Sequence, residues 1–171
     1  MSPKGRLIVW LVMLLGGAVL GVYLDLRFFR AWFLNPFWHL ASLLAGLWLL
    51  GRVRRAAAVT GRTLARHGRE GELPRFETNR LVRVGPYECM RHPMHLALFF
   101  LPLALGLLIG SPSFVLLIWP LELLAMLAMV KLIEEPEALR KFGDEYRRYM
   151  REVPAFNLSR RCLARLFEDP R

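Results

Sequence analysis

The chain has 171 residues, of which 55% are hydrophobic, and a formal net charge of +10; its mean hydropathy is +0.33. Soluble domains of this size are usually about 45–50% apolar and lack long uncharged apolar runs, so the composition excludes an ordinary soluble domain. The basic charge comes without a nucleic-acid recognition motif, and we therefore expect no nucleic-acid partner.

Four apolar runs dominate the sequence. A membrane-spanning helix needs about 20 predominantly apolar residues, and the third run reaches that length only if Pro93–His95 form its first turn. We therefore predict an all-α integral membrane protein with about four transmembrane helices and a cytoplasmic C-terminal helical segment. The four runs are Leu7–Leu24, Ala31–Gly51, Leu96–Gly110 and Phe114–Val130.

The first run resembles a signal peptide in having Lys4 and Arg6 before it. Its apolar stretch is longer than the usual ~7–15 residues, and no small-residue cleavage site follows. We therefore expect the first helix to remain part of the protein.

The basic residues indicate the orientation. Of the 24 Lys and Arg residues, two precede the first helix, two lie in the first connection, ten lie between Arg52 and Arg91, and ten follow from Lys131 onward, with none in the turn at 111–113. By the positive-inside rule, both termini and the 52–91 loop face the cytoplasm. We expect a bacterial inner membrane, with residues 1–51 as two N-terminal transmembrane helices and residues 52–171 as the catalytic part.

The 52–91 loop contains predicted structure. Arg52–His67 has alanine, leucine and arginine at helical density, which predicts a helix extending from the second span, and Gly68–Pro74 breaks it. Cys89 and Cys162 have no metal-ligand spacing, and in a reducing cytoplasm we expect no disulfide between them.

A helix is predicted to start at Pro93. Proline suits the first helical position, and the residue before a proline is pushed out of the helical region, so His92 should be the cap. The first N–H groups of a helix attract anions, and Arg91, His92 and His95 add further hydrogen-bond donors.

A second helix start follows the fourth apolar run, where Glu134-Glu135 precede Pro136. Gly143-Asp144 is predicted to end this helix and cap the next. Tyr146, Tyr149, Met150 and Val153 then recur at helical spacing, which predicts an amphipathic helix that either docks by its aromatic stripe or covers a site directly.

These motifs occur in a recognisable order: Gly85-Pro86-Tyr87-x-x-x-Arg91-His92-Pro93-Met94, a hairpin, Glu134-Glu135, then Phe142-Gly143-Asp144-Glu145-Tyr146-x-x-Tyr149-x-x-x-Val153-Pro154. Together they resemble the isoprenylcysteine carboxyl methyltransferase family, whose wider group includes the phospholipid N-methyltransferases. The resemblance covers roughly residues 80–156. It implies a helical membrane enzyme that binds S-adenosylmethionine at the cytoplasmic side.

The resemblance also implies the cofactor-binding residues, which are Tyr87, Arg91, His92, Pro93, His95, Glu134 and Glu135. His95 stands where the family commonly has tyrosine. Glu152 stands where many members have arginine, which argues against a prenylcysteine carboxylate as the acceptor.

Four further residues are candidates for binding the acceptor. Glu122 is an intramembrane carboxylate, and such groups are functional by default; it could instead pair with His39. Tyr146, Arg148 and Arg151 lie on the predicted amphipathic helix. We identify no catalytic base and no metal ligands.

The chemistry of S-adenosylmethionine fits these positions. Its carboxylate can meet the helix start at Pro93 together with Arg91 and a histidine, and its ammonium can meet Glu134 or Glu135. The third and fourth spans form a hairpin, which brings these two groups of residues together.

Three functions remain open from the sequence. The first is S-adenosylmethionine-dependent methyl transfer to a lipophilic or small acceptor, whose identity and attacking atom the sequence does not give. The second is a membrane NADPH-dependent reductase of related architecture, and the third is a non-enzymatic lipid-binding scaffold. The lipid bilayer is an expected partner in each case, and the oligomeric state is open.

Overall fold

In the computed structural model, 79% of the described residues are helical. The structure describes residues 3–72 and 78–168, and those residues contain no β-strand, so the all-α class is confirmed. The helices are α1 (Pro3–Phe28), α2 (Arg30–Phe33), α3 (Pro36–His67), α4 (Pro93–Leu98), α5 (Leu101–Ile109), α6 (Trp119–Met129), α7 (Glu135–Glu152) and α8 (Arg160–Arg165).

The chain folds into two compact units. The first comprises Met1–Arg52 and Phe99–Ile133, and the second comprises Val53–Leu98 and Glu134–Arg171. Residues 99–133, which contain most of the predicted hairpin, belong to the first unit, and its first helix α4 belongs to the second. Helix α3 runs without a break through Arg52–His67, as predicted. Of the predicted break that follows, Leu73 and Pro74 lie outside the described residues.

Two helical stretches in the described ranges are long and apolar enough to cross a membrane: Ile8–Phe28, and one within Phe114–Glu152. Of the other two predicted spans, the third forms an apolar stretch of only Pro93–Ile109. The second is divided, because helix α3 begins only at Pro36, after the turn at Leu34-Asn35. Among the described residues, length and composition therefore give two candidate membrane-spanning stretches.

Helix α1 exposes its apolar side chains. Val12, Leu15 and Val19 are 66%, 63% and 73% exposed. Exposed apolar surface of this kind indicates contact with another apolar phase.

A buried carboxylate ties the end of α1 to the turn between α5 and α6. The Asp25 side chain is fully buried. Its Oδ1 accepts a hydrogen bond from the Ser113 backbone N–H at 2.8 Å, and its Oδ2 accepts one from the Ser111 hydroxyl. Ser111 Oγ in turn accepts the Phe114 N–H at 3.1 Å. These bonds satisfy donors that would otherwise be unpaired at a helix start.

Prolines shape the helices of the hairpin. Pro102 is the second residue of α5, which begins after α4 has ended at Leu98. A five-residue π-helical segment, Phe114–Ile118, precedes Pro120, and a second one, Val130–Glu134, precedes Pro136. Proline removes an N–H and clashes with the carbonyl four residues earlier, and before Pro120 the π segment pairs the Trp119 N–H with the Phe114 carbonyl, five residues back.

Glu122 lies inside the first unit and does not pair with His39. The Nε2 atom of His39 is 2.5 Å from the Phe33 carbonyl oxygen. The Glu122 carboxyl is buried and makes no hydrogen bond within the described ranges. It packs on α1 at Gly17, where an added Cβ would lie 2.6 Å from Oε1. Only glycine permits this close approach.

The second unit is built around α7, which is bent at Gly143. Helix α7 has non-helical angles there (φ +54°, ψ −127°), so the predicted break at Gly143 is confirmed. Beyond the bend, Tyr146, Tyr149 and Val153 form a buried cluster. The apolar residues packed against this cluster include Leu81, Ala138, Leu139, Phe142 and Met150.

Replacing Gly143 with alanine should destabilise the protein by about 1–3 kcal/mol, because these backbone angles are essentially reserved for glycine. The surroundings add no steric cost, since a Cβ at this position would meet nothing within 4 Å. Thermal unfolding in detergent would measure the change.

Gly51→Ala is the matched control. Gly51 is also in open space, but it lies in the regular helix α3, where alanine is favoured by roughly 0.5–1 kcal/mol. A Gly143→Ala protein as stable as Gly51→Ala would contradict the assigned conformation.

Candidate active site

A buried ion pair joins the Arg-His-Pro segment to the start of α7. The Nε atom of Arg91 donates to Glu135 Oε1 at 3.1 Å, and its Nη2 atom forms an ion pair with the same oxygen. The two side chains are only 8% and 14% exposed. Two buried charges are tolerated only when each compensates the other. This pair therefore holds the Arg-His-Pro segment against the start of α7.

The same guanidinium holds the other end of α7. Arg91 Nη1 donates to the carbonyl oxygens of Val153 at 2.6 Å and Met150 at 3.4 Å. A straight helix of these 18 residues would be about 27 Å long. One side chain contacts both ends because the helix is bent at Gly143.

Two backbone N–H groups just before Pro93 already donate hydrogen bonds within the protein. His92 is the cap of α4, as predicted, because its carbonyl accepts the Leu96 N–H at 3.0 Å. The backbone N–H groups of Arg91 and His92 donate to the carbonyls of Pro154 and Ala155 at 3.0 and 3.1 Å. These two donors, on the loop side of the helix, are therefore not open to an anion.

His92 lies against the ion pair as a neutral ring. Burial, and next the neighbouring His95, lower the pKa of His92 to about 4, although the Glu135 carboxylate opposes this. His92 Nε2 is 3.3 Å from Glu135 Oε1. With a neutral ring this contact is a hydrogen bond in which Nε2–H donates, and the tautomer follows from that assignment.

A cleft of about 120 Å³ opens beside these residues within the second unit. Complete ligand pockets usually measure about 300–1,000 Å³, so this cleft can enclose part of a cofactor-sized molecule. Its walls carry both polar and apolar groups. The lining residues are Leu64, Thr78, Arg80, Leu81, Val82, Tyr87, Arg91, His92, Glu134, Ala138, Phe142, Tyr146 and Tyr149.

Three tyrosines of the cleft differ in their hydroxyl contacts. Tyr149 donates its hydroxyl to the carbonyl oxygen of Tyr87, and the Met90 carbonyl lies 3.4 Å away. The hydroxyls of Tyr87 and Tyr146 are buried and make no hydrogen bond of good geometry within the described ranges. Burial raises the pKa of all three phenols, so they are protonated donors.

Five of the predicted residues line the cleft: Tyr87, Arg91, His92, Glu134 and Tyr146. Glu135 lies behind them, bonded to Arg91 and His92.

The other predicted residues lie elsewhere. Pro93 is buried at the start of α4. His95 is one turn into that helix, with its ring centre 5.6 Å from that of His92. Arg148 and Arg151 are exposed on α7, and Glu122 belongs to the first unit.

The expectation that Cys89 and Cys162 stay unpaired is wrong for this structure, where they form a disulfide. They are 73 residues apart in sequence, and nothing in their spacing indicates that α8 packs on the turn Gly85–Glu88. Sequence analysis also missed the partner of Glu152, which forms an ion pair with Arg83.

The family model for phospholipid methyltransferases matches residues 36–145 of this chain. The match covers more than half of the sequence, and the chain therefore belongs to the phospholipid methyltransferase family. This confirms the resemblance to the wider group of isoprenylcysteine and phospholipid methyltransferases. Membership implies a membrane methyltransferase, and members generally use S-adenosylmethionine. Comparisons with curated proteins and with solved structures gave no significant match.

Tyr149→Phe should lower the unfolding free energy by about 1–3 kcal/mol, because it leaves buried carbonyl oxygens without their donor. Tyr146→Phe is the matched control, since its hydroxyl makes no such bond. That variant should be as stable as the parent or more stable in the absence of ligand. Equal losses in the two melting curves would refute the hydrogen-bond assignment.

His92 should make stability depend on pH. Its folded pKa of about 4 lies below the ordinary value of about 6.5, so the unfolded chain binds the proton first as the pH falls. Above about pH 6.5 the titration of His92 does not change the free energy of unfolding. As the pH falls from about 6.5 to 4, this free energy decreases by up to about 3 kcal/mol.

His92→Gln removes the titrating ring and keeps a donor. Unfolding measured at pH 7.5 and at pH 5 should show a larger acid loss for the parent than for this variant. Identical losses would show that His92 is already charged in the folded protein.

Proposed function

We propose that this chain is an integral membrane methyltransferase that binds S-adenosylmethionine in the cleft of its second unit. One observation carries the proposal: Tyr87 and Tyr146, whose buried hydroxyls make no hydrogen bond of good geometry within the described residues, line the same cleft as Arg91, His92 and Glu134. An unsatisfied buried hydroxyl costs about 1–3 kcal/mol, and a ligand with matching acceptors relieves that cost.

The donor set fits the ionic groups of the cofactor. The Glu134 carboxylate would hold the ammonium, and the Tyr87 and Tyr146 hydroxyls would donate to the carboxylate. The Arg91–Glu135 pair neutralises itself, so it orients these groups more than it adds charge. This assignment differs from the sequence-based one, which gave the cofactor carboxylate to the helix start at Pro93 together with Arg91 and a histidine.

When bound, the cofactor supplies a methyl group on a positively charged sulfur. For an in-line displacement the protein must position the two reactants and exclude water. The apolar wall of the cleft, including Leu81 and Phe142, would exclude water. Neutral His92 is available as a hydrogen-bond partner without adding positive charge beside a sulfonium.

We propose that the acceptor is a lipophilic or small molecule reached at the cytoplasmic membrane face. Glu152 brings no positive charge to the position where many members of the resembled family have arginine, and the Arg83 guanidinium is already paired with it, so neither side chain favours an acceptor that carries a carboxylate. Thermal stabilisation by S-adenosylhomocysteine, with no shift from NADPH, would distinguish a methyltransferase from a reductase. A lipid-binding scaffold would respond to neither.

Substitutions of Glu134 and of Glu135 should have different effects on binding and stability. Glu134→Gln should weaken S-adenosylhomocysteine binding by about 1.5–3 kcal/mol, as expected for a lost charged hydrogen bond. Glu135→Gln should also lower stability, by about 3–5 kcal/mol, because it leaves Arg91 buried without its partner.

Calorimetric titration would measure the affinity of both variants, and melting curves would measure their stability. The control is Glu145→Gln, because Glu145 is exposed. Native affinity in a folded Glu134→Gln protein would reject the role of Glu134.

For the membrane arrangement we propose four spans in a bacterial inner membrane, with both termini cytoplasmic. The distribution of Lys and Arg residues supports this orientation. A fluorescent protein fused after Arg171 should fluoresce, and alkaline phosphatase fused at the same point should be inactive. Active phosphatase would show that the chain has the opposite orientation.

A further inference from the structure

A disulfide ties the C-terminal helix to the turn that carries Tyr87. The Cα atoms of Cys89 and Cys162 are 5.6 Å apart, which is the usual separation for a disulfide. Cys89 directly follows the turn Gly85–Glu88, and Cys162 is buried in α8. The bond therefore joins α8 to the turn.

The other contacts between α8 and the turn are weak. Arg165 Nη1 donates to the Gly85 carbonyl at 3.4 Å and forms an ion pair with Glu88. These two side chains are 28% and 49% exposed, and solvated ion pairs contribute little. The disulfide is thus the covalent attachment of α8 to the turn, beside these polar contacts.

The turn supplies one wall of the cleft. Tyr87 belongs to the turn and lines the cleft, and its buried hydroxyl makes no hydrogen bond within the part of the chain that the structure describes. Arg91 and His92 follow a few residues later and line the same cleft. A shift of the turn moves all three relative to α7. The bond from Tyr149 to the Tyr87 carbonyl remains when the disulfide opens, so the cleft should loosen but persist.

We propose that the Cys89–Cys162 disulfide is a redox switch that sets the ligand affinity of the cleft through the Gly85–Glu88 turn. The ligand's identity rests on the proposed function. In the switching step a dithiol is oxidised to a disulfide, the Cys89–Cys162 bond breaks, and each sulfur takes up a proton. Cys89 is partly exposed and is the sulfur that a dithiol can reach. Disulfides in a reducing cytoplasm are usually of this redox-sensing kind.

The first test is calorimetric titration with S-adenosylhomocysteine. Aerobically purified protein should bind it, and treatment with dithiothreitol should weaken binding at least about tenfold, a shift of about 1.4 kcal/mol. The double variant Cys89→Ser/Cys162→Ser should bind S-adenosylhomocysteine weakly, and dithiothreitol should not change its affinity. Unchanged affinity after reduction would overturn the switch and leave the proposed function standing.

The second test needs no ligand. Hydrogen exchange of peptides covering residues 85–92 and 160–166 should quicken on reduction, while residues 114–133 of the other unit stay unchanged. If the oxidised protein binds no S-adenosylhomocysteine, the proposed function fails, and this exchange pattern alone decides the switch. Unchanged exchange at 85–92, or two free thiols in the aerobically purified protein, would overturn it.

Discussion

The contact between Arg91 and Glu135 organises the second unit, because one guanidinium holds both the first turn of α7 and its last carbonyls. Both charges are almost fully buried, so removal of either side chain would lower the stability strongly. The bend at Gly143 makes this possible by returning the end of α7 to its beginning. The family motif is therefore held from two directions, and residues distant in sequence are fixed around one cleft.

The polar groups of the cleft fall into two classes. Arg91, Glu135 and the Tyr149 hydroxyl are occupied by contacts within the protein. Within the described residues, the hydroxyls of Tyr87 and Tyr146 make no hydrogen bond of good geometry. This division agrees with a site in which the first group fixes geometry and the second meets the ligand. The first unit has its own buried anchor, the Asp25 carboxylate, and an apolar surface suited to lipid.

Much of this follows from local sequence. The helix start at Pro93, the cap at His92 and the break at Gly143 each depend on one or two residues and were predicted correctly. The four spans were not all recovered, since Asn35-Pro36 divides the second run and α5 is short. The pairing of Arg91 with Glu135 could not be foreseen as a closed ion pair, because motif order does not say which charges face each other. The disulfide and the Arg83–Glu152 pair depend on tertiary packing alone.

The most direct test of the central claim is ultraviolet crosslinking of radiolabelled S-adenosylmethionine to the detergent-solubilised protein, followed by peptide mapping. A cofactor bound in this cleft should label peptides from residues 78–92 and 134–149, and excess S-adenosylhomocysteine should abolish the label. Label confined to residues 3–52 or 99–133, or label that S-adenosylhomocysteine does not displace, would contradict the assignment.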